Sequence, residues 1–175
     1  GSKDAHSGVT GGAARNPLAE LMEVALACVD AKTGRVKIPG FYKDVIAPSK
    51  AEIKSFLKSG FQVKRFKDAY GFRTLRTDDP AEVMRRIWAT PTFEVHGLVG
   101  GYTGPGIKTV IAPRAEVKIS CRLVPKMDPK KIQKLVREFV KQRNPDVKIE
   151  IETQMWPYKA PTTGPLAVAV KDAMK

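Results

Sequence analysis

The sequence predicts an α+β fold: a ferredoxin-like split βαβ sheet with two helices on one face, plus a helical insertion after the first helix. Three observations predict it. Apolar residues recur at spacings of three and four over residues 18–29 and again over 132–140, the period of two amphipathic helices. Over residues 92–97, 117–123 and 147–152 the period falls to two, that of strands with one wet face. Residues 35–90, between the first helix and the first of these strands, carry helix signals of their own. With that insertion set aside, the order is helix, strand, strand, helix, strand, which is the split βαβ pattern without its opening strand. The opening strand is expected just before Lys3, so the chain is expected to be cut from something longer at both ends.

Asn16-Pro17 opens the first helix, with asparagine as the cap and proline in the first turn, where its missing N–H costs nothing. Leu18, Leu21, Met22, Ala25, Leu26 and Val29 form its apolar stripe, and Lys32-Thr33-Gly34 is expected to end it. The insertion starts with a Pro39-Gly40 turn. Ser49-x-x-Glu52 is a capping box for a short helix bearing Ile53, Phe56 and Leu57 and stopped by Gly60. A second helix is expected near residues 63–70. Asp79-Pro80-x-Glu82 starts a third, with Val83, Met84, Ile87 and Trp88 on its inner face. After Pro91, Phe93, Val95 and Gly97 alternate with Thr92, Glu94 and His96; no partner is suggested for His96. A glycine-rich loop over residues 97–108 leads to a longer strand, in which Val117, Ile119, Cys121 and Leu123 face one way and Lys118, Ser120 and Arg122 the other. Asp128-Pro129 opens the second long helix and Asn144-Pro145 closes it. Val147, Ile149 and Ile151 mark a closing strand, and Gly164-Pro165 starts a last helix that runs to Lys175.

Composition narrows the function. A hydrophobic content of 42% and a charged content of 28% are those of an ordinary soluble globular protein. No apolar run approaches the ~18 residues of a membrane span and no signal-peptide pattern opens the chain, so a cytoplasmic protein without membrane contact is expected. Cys28 and Cys121 both fall at apolar positions and are expected to be reduced core thiols. The net charge of +13 invites a nucleic-acid reading. Its lysines and arginines, however, are spread along helical surfaces, without an aromatic RNA-binding signature or a reading helix. An anionic substrate fits that distribution better. With two histidines and no His-x-Asp or Glu-Glu constellation, nothing in the sequence would hold a catalytic metal. What the chain does offer is His6, between a strand end and the glycine-rich run Ser7-Gly8-Val9-Thr10-Gly11-Gly12, together with Thr109 and a strand-end Arg122. These are groups suited to a carbonyl oxygen and a carboxylate.

Four stretches agree in order and spacing with one known family: Lys3-Asp4-x-His6-Ser7-Gly8-x-x-Gly11-Gly12, Gly97-x-x-Gly100-Gly101, Lys108-Thr109-Val110-Ile111, and Ile119-Ser120-x-Arg122-Leu123-Val124-Pro125. From about Lys3 to about Pro165 the chain resembles the lid, or dimerisation, domain of the zinc metallopeptidases that include carnosine dipeptidases, aminoacylases and succinyl-diaminopimelate desuccinylases. The long insertion resembles the carnosine-dipeptidase branch. The resemblance implies a lid over residues 1–165, with 35–90 as a helical insertion and 166–175 as the start of a helix returning to an absent catalytic domain. It implies a homodimer, a peptide or acyl-amino-acid substrate, and two zinc ions in the full-length parent, held outside this chain, which alone would be inactive. His6 matches the lid histidine that reaches the partner subunit's site and hydrogen-bonds the scissile carbonyl oxygen. Thr109 and Arg122 match residues that bind the substrate's terminal carboxylate. Ala5 stands where the family has a larger aliphatic residue, and Ala112 where a proline usually follows the Val-Ile pair, with Pro113 one place later. The competing expectation is a stand-alone ferredoxin-like module whose basic surface binds nucleic acid or small anions.

Overall fold

The computed structural model describes residues 1–161 and 163–174. Its elements run β1 (Ala5–His6), α1 (Ser7–Thr10), α2 (Pro17–Cys28), α3 (Lys50–Leu57), α4 (Val63–Tyr70), α5 (Pro80–Ala89), β2 (Thr92–Gly100), β3 (Val110–Ile111), β4 (Ala115–Arg122), α6 (Pro129–Arg143) and α7 (Pro165–Ala173). The class is mixed α and β, with two antiparallel two-stranded sheets, β1 with β3 and β2 with β4.

The Asn16 side chain accepts hydrogen bonds from the amides of Leu18 and Ala19 at 3.1 and 3.3 Å, and Pro17 occupies the first turn, so α2 begins where the sequence places it. It ends at Cys28, short of the expected Lys32-Thr33-Gly34. The Asp30 carboxylate accepts from the Thr33 amide and hydroxyl at 2.6 and 2.7 Å, and this side-chain turn competes successfully with a further helical turn. Val29 thereby leaves the helix and bridges Val36. Beyond the turn the chain returns to the core, where Val36, Ile38 and Phe41 are buried among Val24, Cys28, Phe93 and the inner face of α6. α6 is capped by Asp128, which accepts from the Lys130 amide at 2.8 Å. α2 packs on β2 and β4, with α6 beside it.

β2 and β4 pair from Thr92–Arg122 to Gly100–Ala115, with a bulge at His96 between the Val95–Ile119 and Gly97–Lys118 pairs. The extra residue upsets the alternation beyond it. β2 therefore continues to Gly100, past the expected break at Gly97, and Val95, Leu98 and Val99 stay exposed while Phe93 is buried. The closing strand differs from expectation. Residues 147–152 have no hydrogen-bonded ladder, so the four-stranded ferredoxin-like sheet is not assembled among the described residues. In the split βαβ order the closing strand lies beside the opening one, and no described strand takes that place. Packing persists without the ladder: Val147 and Ile149 still touch the core, and Arg137 donates to the Ile149 carbonyl at 3.0 Å.

Outside the core, α3 packs on α5. The Ser49 hydroxyl accepts from the Glu52 amide at 3.2 Å and the Glu52 carboxylate from the Ser49 amide at 2.9 Å, completing the capping box. Phe56 meets Trp88 edge-on with centroids 5.0 Å apart. Of the inner face expected for α5, Val83 and Met84 are buried while Ile87 and Trp88 remain half exposed, since one neighbouring helix covers only part of that stripe. Phe61, Phe66, Tyr70 and Phe72 form a separate aromatic cluster around α4. The expected last helix is α7; Lys175 lies outside the described residues. No helix among the described residues is long and apolar enough to cross a membrane. Both cysteines are free thiols.

Candidate functional site

β1 ends at His6 and pairs with β3 so that His6 lies opposite Val110, which brings the histidine beside Thr109. His6 Nε2 is 3.3 Å from Thr109 Oγ1. The other ring nitrogen, Nδ1, accepts the Gly8 amide N–H at 2.9 Å. An amide N–H can only donate, so Nδ1 is bare and the neutral ring carries its proton on Nε2. The main chain is fixed on both sides of the ring: the Ser7 amide donates to the Thr109 carbonyl at 3.0 Å, and the Thr10 hydroxyl donates to the His6 carbonyl at 3.0 Å. His6 and Thr109 are both exposed. With its proton on Nε2 the ring donates to the Thr109 hydroxyl oxygen, which leaves the Thr109 hydroxyl proton free to turn to an oxygen of a bound molecule.

Asp4 and Lys108, motif positions to which the sequence assigns no role, form a 2.8 Å ion pair beside these two strands. The Asp4 carboxylate, through its hydrogen bond and then its charge, holds the Lys108 ammonium above the usual lysine range. The available signal was spacing, since Asp4 precedes His6 by two residues and Lys108 directly precedes Thr109. The glycine-rich loop before Thr109 is shaped by its own contacts. The Tyr102 hydroxyl donates to the Pro105 carbonyl at 2.8 Å, and Gly101, at φ 73°, comes against Leu18 at the start of α2. A side chain at Gly101 would need a strained backbone, and its Cβ would stand 3.3 Å from Leu18 Cδ2.

Arg122 lies elsewhere. It is the exposed last residue of β4, opposite Thr92, whose buried hydroxyl has no hydrogen-bond partner among the described residues. Its neighbour Cys121 packs on the core that holds Cys28, the last residue of α2, whereas Gly101 touches the first turn of that helix. Thr109 directly precedes β3, and Arg122 ends β4, a strand of the other sheet. The structure thus brings His6 and Thr109 into contact and places Arg122 on a different sheet. The second histidine, His96, sits in the β2 bulge with Nε2 2.5 Å from Ser120 Oγ.

Among the described residues no three His, Cys, Asp or Glu side chains come together as a metal centre requires. The donor set does not fit a metal.

Known proteins share this arrangement of sequence and fold. The peptidase dimerisation domain family matches residues 2–148. The Cys-Gly metallodipeptidase of Candida albicans is 34% identical over 155 residues, covering 85% of this chain and 31% of that protein. The human Beta-Ala-His dipeptidase is 31% identical over 134 residues, covering 77% of this chain and 26% of that one. Among solved structures, an M20 family metallo-carboxypeptidase from Sulfolobus solfataricus superposes with a TM-score of 0.92 at 31% identity, over 99% of this chain and 45% of that chain. Human carnosine dipeptidase 1 gives a TM-score of 0.75 at 29% identity, over 82% and 30% of the two chains. The chain spans about three-tenths of the length of these two curated relatives, 31% and 26%.

Proposed function

We propose, since the chain belongs to the peptidase dimerisation domain family of the M20 metallopeptidases, that it is the lid of a homodimeric di-zinc peptidase or amidohydrolase cleaving dipeptides or N-acyl amino acids. In this reading residues 1–165 are the lid, 35–90 its insertion and 166–175 the first turns of a helix leading out of it. Both zinc ions are held by another part of the full-length enzyme. The free thiols Cys28 and Cys121 support a cytoplasmic setting. Family membership displaces the stand-alone binding module.

The observation that carries the proposal is the His6–Thr109 pair, one ring N–H and one hydroxyl 3.3 Å apart at an exposed strand junction. Donors preset in this way are worth most where negative charge develops on a carbonyl oxygen, and losing one such donor typically costs ~10²–10³ in rate. Arg122 supplies a planar cation suited to a terminal carboxylate. His6 and Thr109 meet on the β1–β3 sheet, whereas Arg122 ends a strand of the other sheet. That division favours service to two different substrate molecules. In this reading Thr109 acts with His6 in the partner's site, and Arg122 acts in its own. The outer edge of β2, with exposed Val95, Leu98 and Val99, supports a two-fold partner strand there.

Mixing tests the arrangement. A dimer of one His6→Ala chain and one chain with its metal ligands removed should recover a single working site, with intact metals on the first and an intact histidine from the second. A mixed dimer as inactive as both parents would show that the histidine does not act across the interface.

A further inference from the structure

Gly8 is the residue on which the chemistry of His6 turns. Its amide is the 2.9 Å donor to His6 Nδ1. A Cβ built on Gly8 would stand 2.9 Å from His6 Cε1, closer than real Cβ contacts come, and 3.1 Å from Nδ1, tighter than most, so the ring would have to move. The backbone of Gly8 is helical, within α1, and not in the left-handed region, so alanine is conformationally allowed there. The lack of a side chain is therefore required by the ring lying over it and not by the turn.

We infer that Gly8 is a positioning residue: it lets the imidazole of His6 lie against its own following turn, sets the proton on Nε2, and aims that proton at the Thr109 hydroxyl oxygen and the space beside it. This rests on the functional reading above and deepens it, since a donor role for His6 requires one ring tautomer and one ring orientation. A proton on Nδ1 would point at the amide proton of Gly8, two donors facing at 2.9 Å. One net hydrogen bond biases the neutral ring towards the Nε2–H form on the order of tenfold. The Thr109 hydroxyl oxygen, 3.3 Å from Nε2, accepts from the same tautomer, whereas Thr10 binds the His6 carbonyl and not its ring.

The test has two parts. The chain has only two histidines, so long-range nitrogen–proton correlation spectra at a pH above the ordinary imidazole range should resolve both rings. His6 should appear as the Nε2–H tautomer in the native chain and as a mixture in Gly8→Ala, with the Nε2–H excess reduced on the order of tenfold. His96, bonded to Ser120 on the other sheet, should not move, and the thermal midpoint should stay constant because a surface ring can swing away. An Nδ1–H ring in the native chain, or identical spectra in both, overturns the inference. In the full-length enzyme, Gly8→Ala should lower kcat on the order of 10¹–10²-fold with KM nearly unchanged, and should have no effect when His6→Ala is already present. An equal loss in both backgrounds would show a merely structural glycine and overturn the inference. If the spectra behave as expected but neither His6→Ala nor Gly8→Ala changes kcat, the tautomer control stands and the oxyanion role proposed for His6 falls.

Discussion

At the scale of single residues, His6 and Arg122 should fail differently. Replacing His6 by alanine in the full-length enzyme removes a donor that acts on developing charge, so kcat should fall ~10²–10³-fold. Metal content measured by emission spectrometry should not change, because in this reading the histidine is a donor to the substrate and no metal ligand. Replacing Arg122 should chiefly raise KM for substrates with a free carboxylate, since that contact is equal in ground and transition states. Substrates lacking the carboxylate should be unaffected. The thiols give a pH prediction. Burial pushes Cys28 up to about 11 and Cys121 up to about 12, from an ordinary 9.0. Above pH 9 the unfolded chain therefore releases thiol protons that the folded chain keeps, and stability should fall as pH rises from there towards 12. Chemical denaturation across that range should show the decline, and Cys28→Ala with Cys121→Ala should flatten it. A slope unchanged by the double substitution would refute the assignment.

Among the elements, α3 offers the clearest test. Its capping box rests on Ser49, and Ser49→Ala should cost ~1 kcal/mol, read as a lower midpoint in urea. Glu52 also receives the Lys159 ammonium from the chain beyond residue 152, and that contact first, then the Ser49 amide, holds its carboxyl down to about 2 from 4.5. A carboxyl lowered by folding stabilises above its unfolded value. The contribution should thus be complete above pH 4.5 and fade as pH falls towards 2. In Lys159→Met the Glu52 carboxyl carbon should titrate nearer 4.5 by NMR. How much could be read from sequence follows the range of the forces involved. α3 and α6 were legible because Ser49, Glu52 and Asp128 act within one turn. The end of α2 was not, because Asp30 and Thr33 resemble ordinary surface residues until the turn they close is seen. The alternation of Val36 and Ile38 before Pro39-Gly40 did hold a signal for their return to the core. β1 and β3 are two residues each and meet across most of the chain, so no periodicity reports them. His6, Thr109 and Arg122 stand out in the sequence by residue type and motif order, which carry no geometry. The contact of His6 with Thr109 came from the register of β1 with β3, and the place of Arg122 on the other sheet from the pairing of β2 with β4.

For the whole molecule, the isolated chain should hydrolyse neither dipeptides nor acyl-amino acids, with or without added zinc, since no metal cluster exists among the described residues. Metal-dependent turnover by the purified chain would overturn the lid assignment. Sedimentation at high concentration should show self-association through the exposed edge of β2, and a charge at Val99, 60% exposed on that strand, should weaken it. The placing of His6 and Arg122 on two different sheets reaches into genetics. If each chain serves one site with Arg122 and the other with His6, a chain lacking both residues spoils two sites at once in any pairing. Co-expressed in equal amounts with the intact chain, it would leave only about a quarter of randomly paired two-fold dimers with any working site. Such an allele would then behave as dominant, whereas an allele lacking only one of the two residues would leave each mixed dimer one working site.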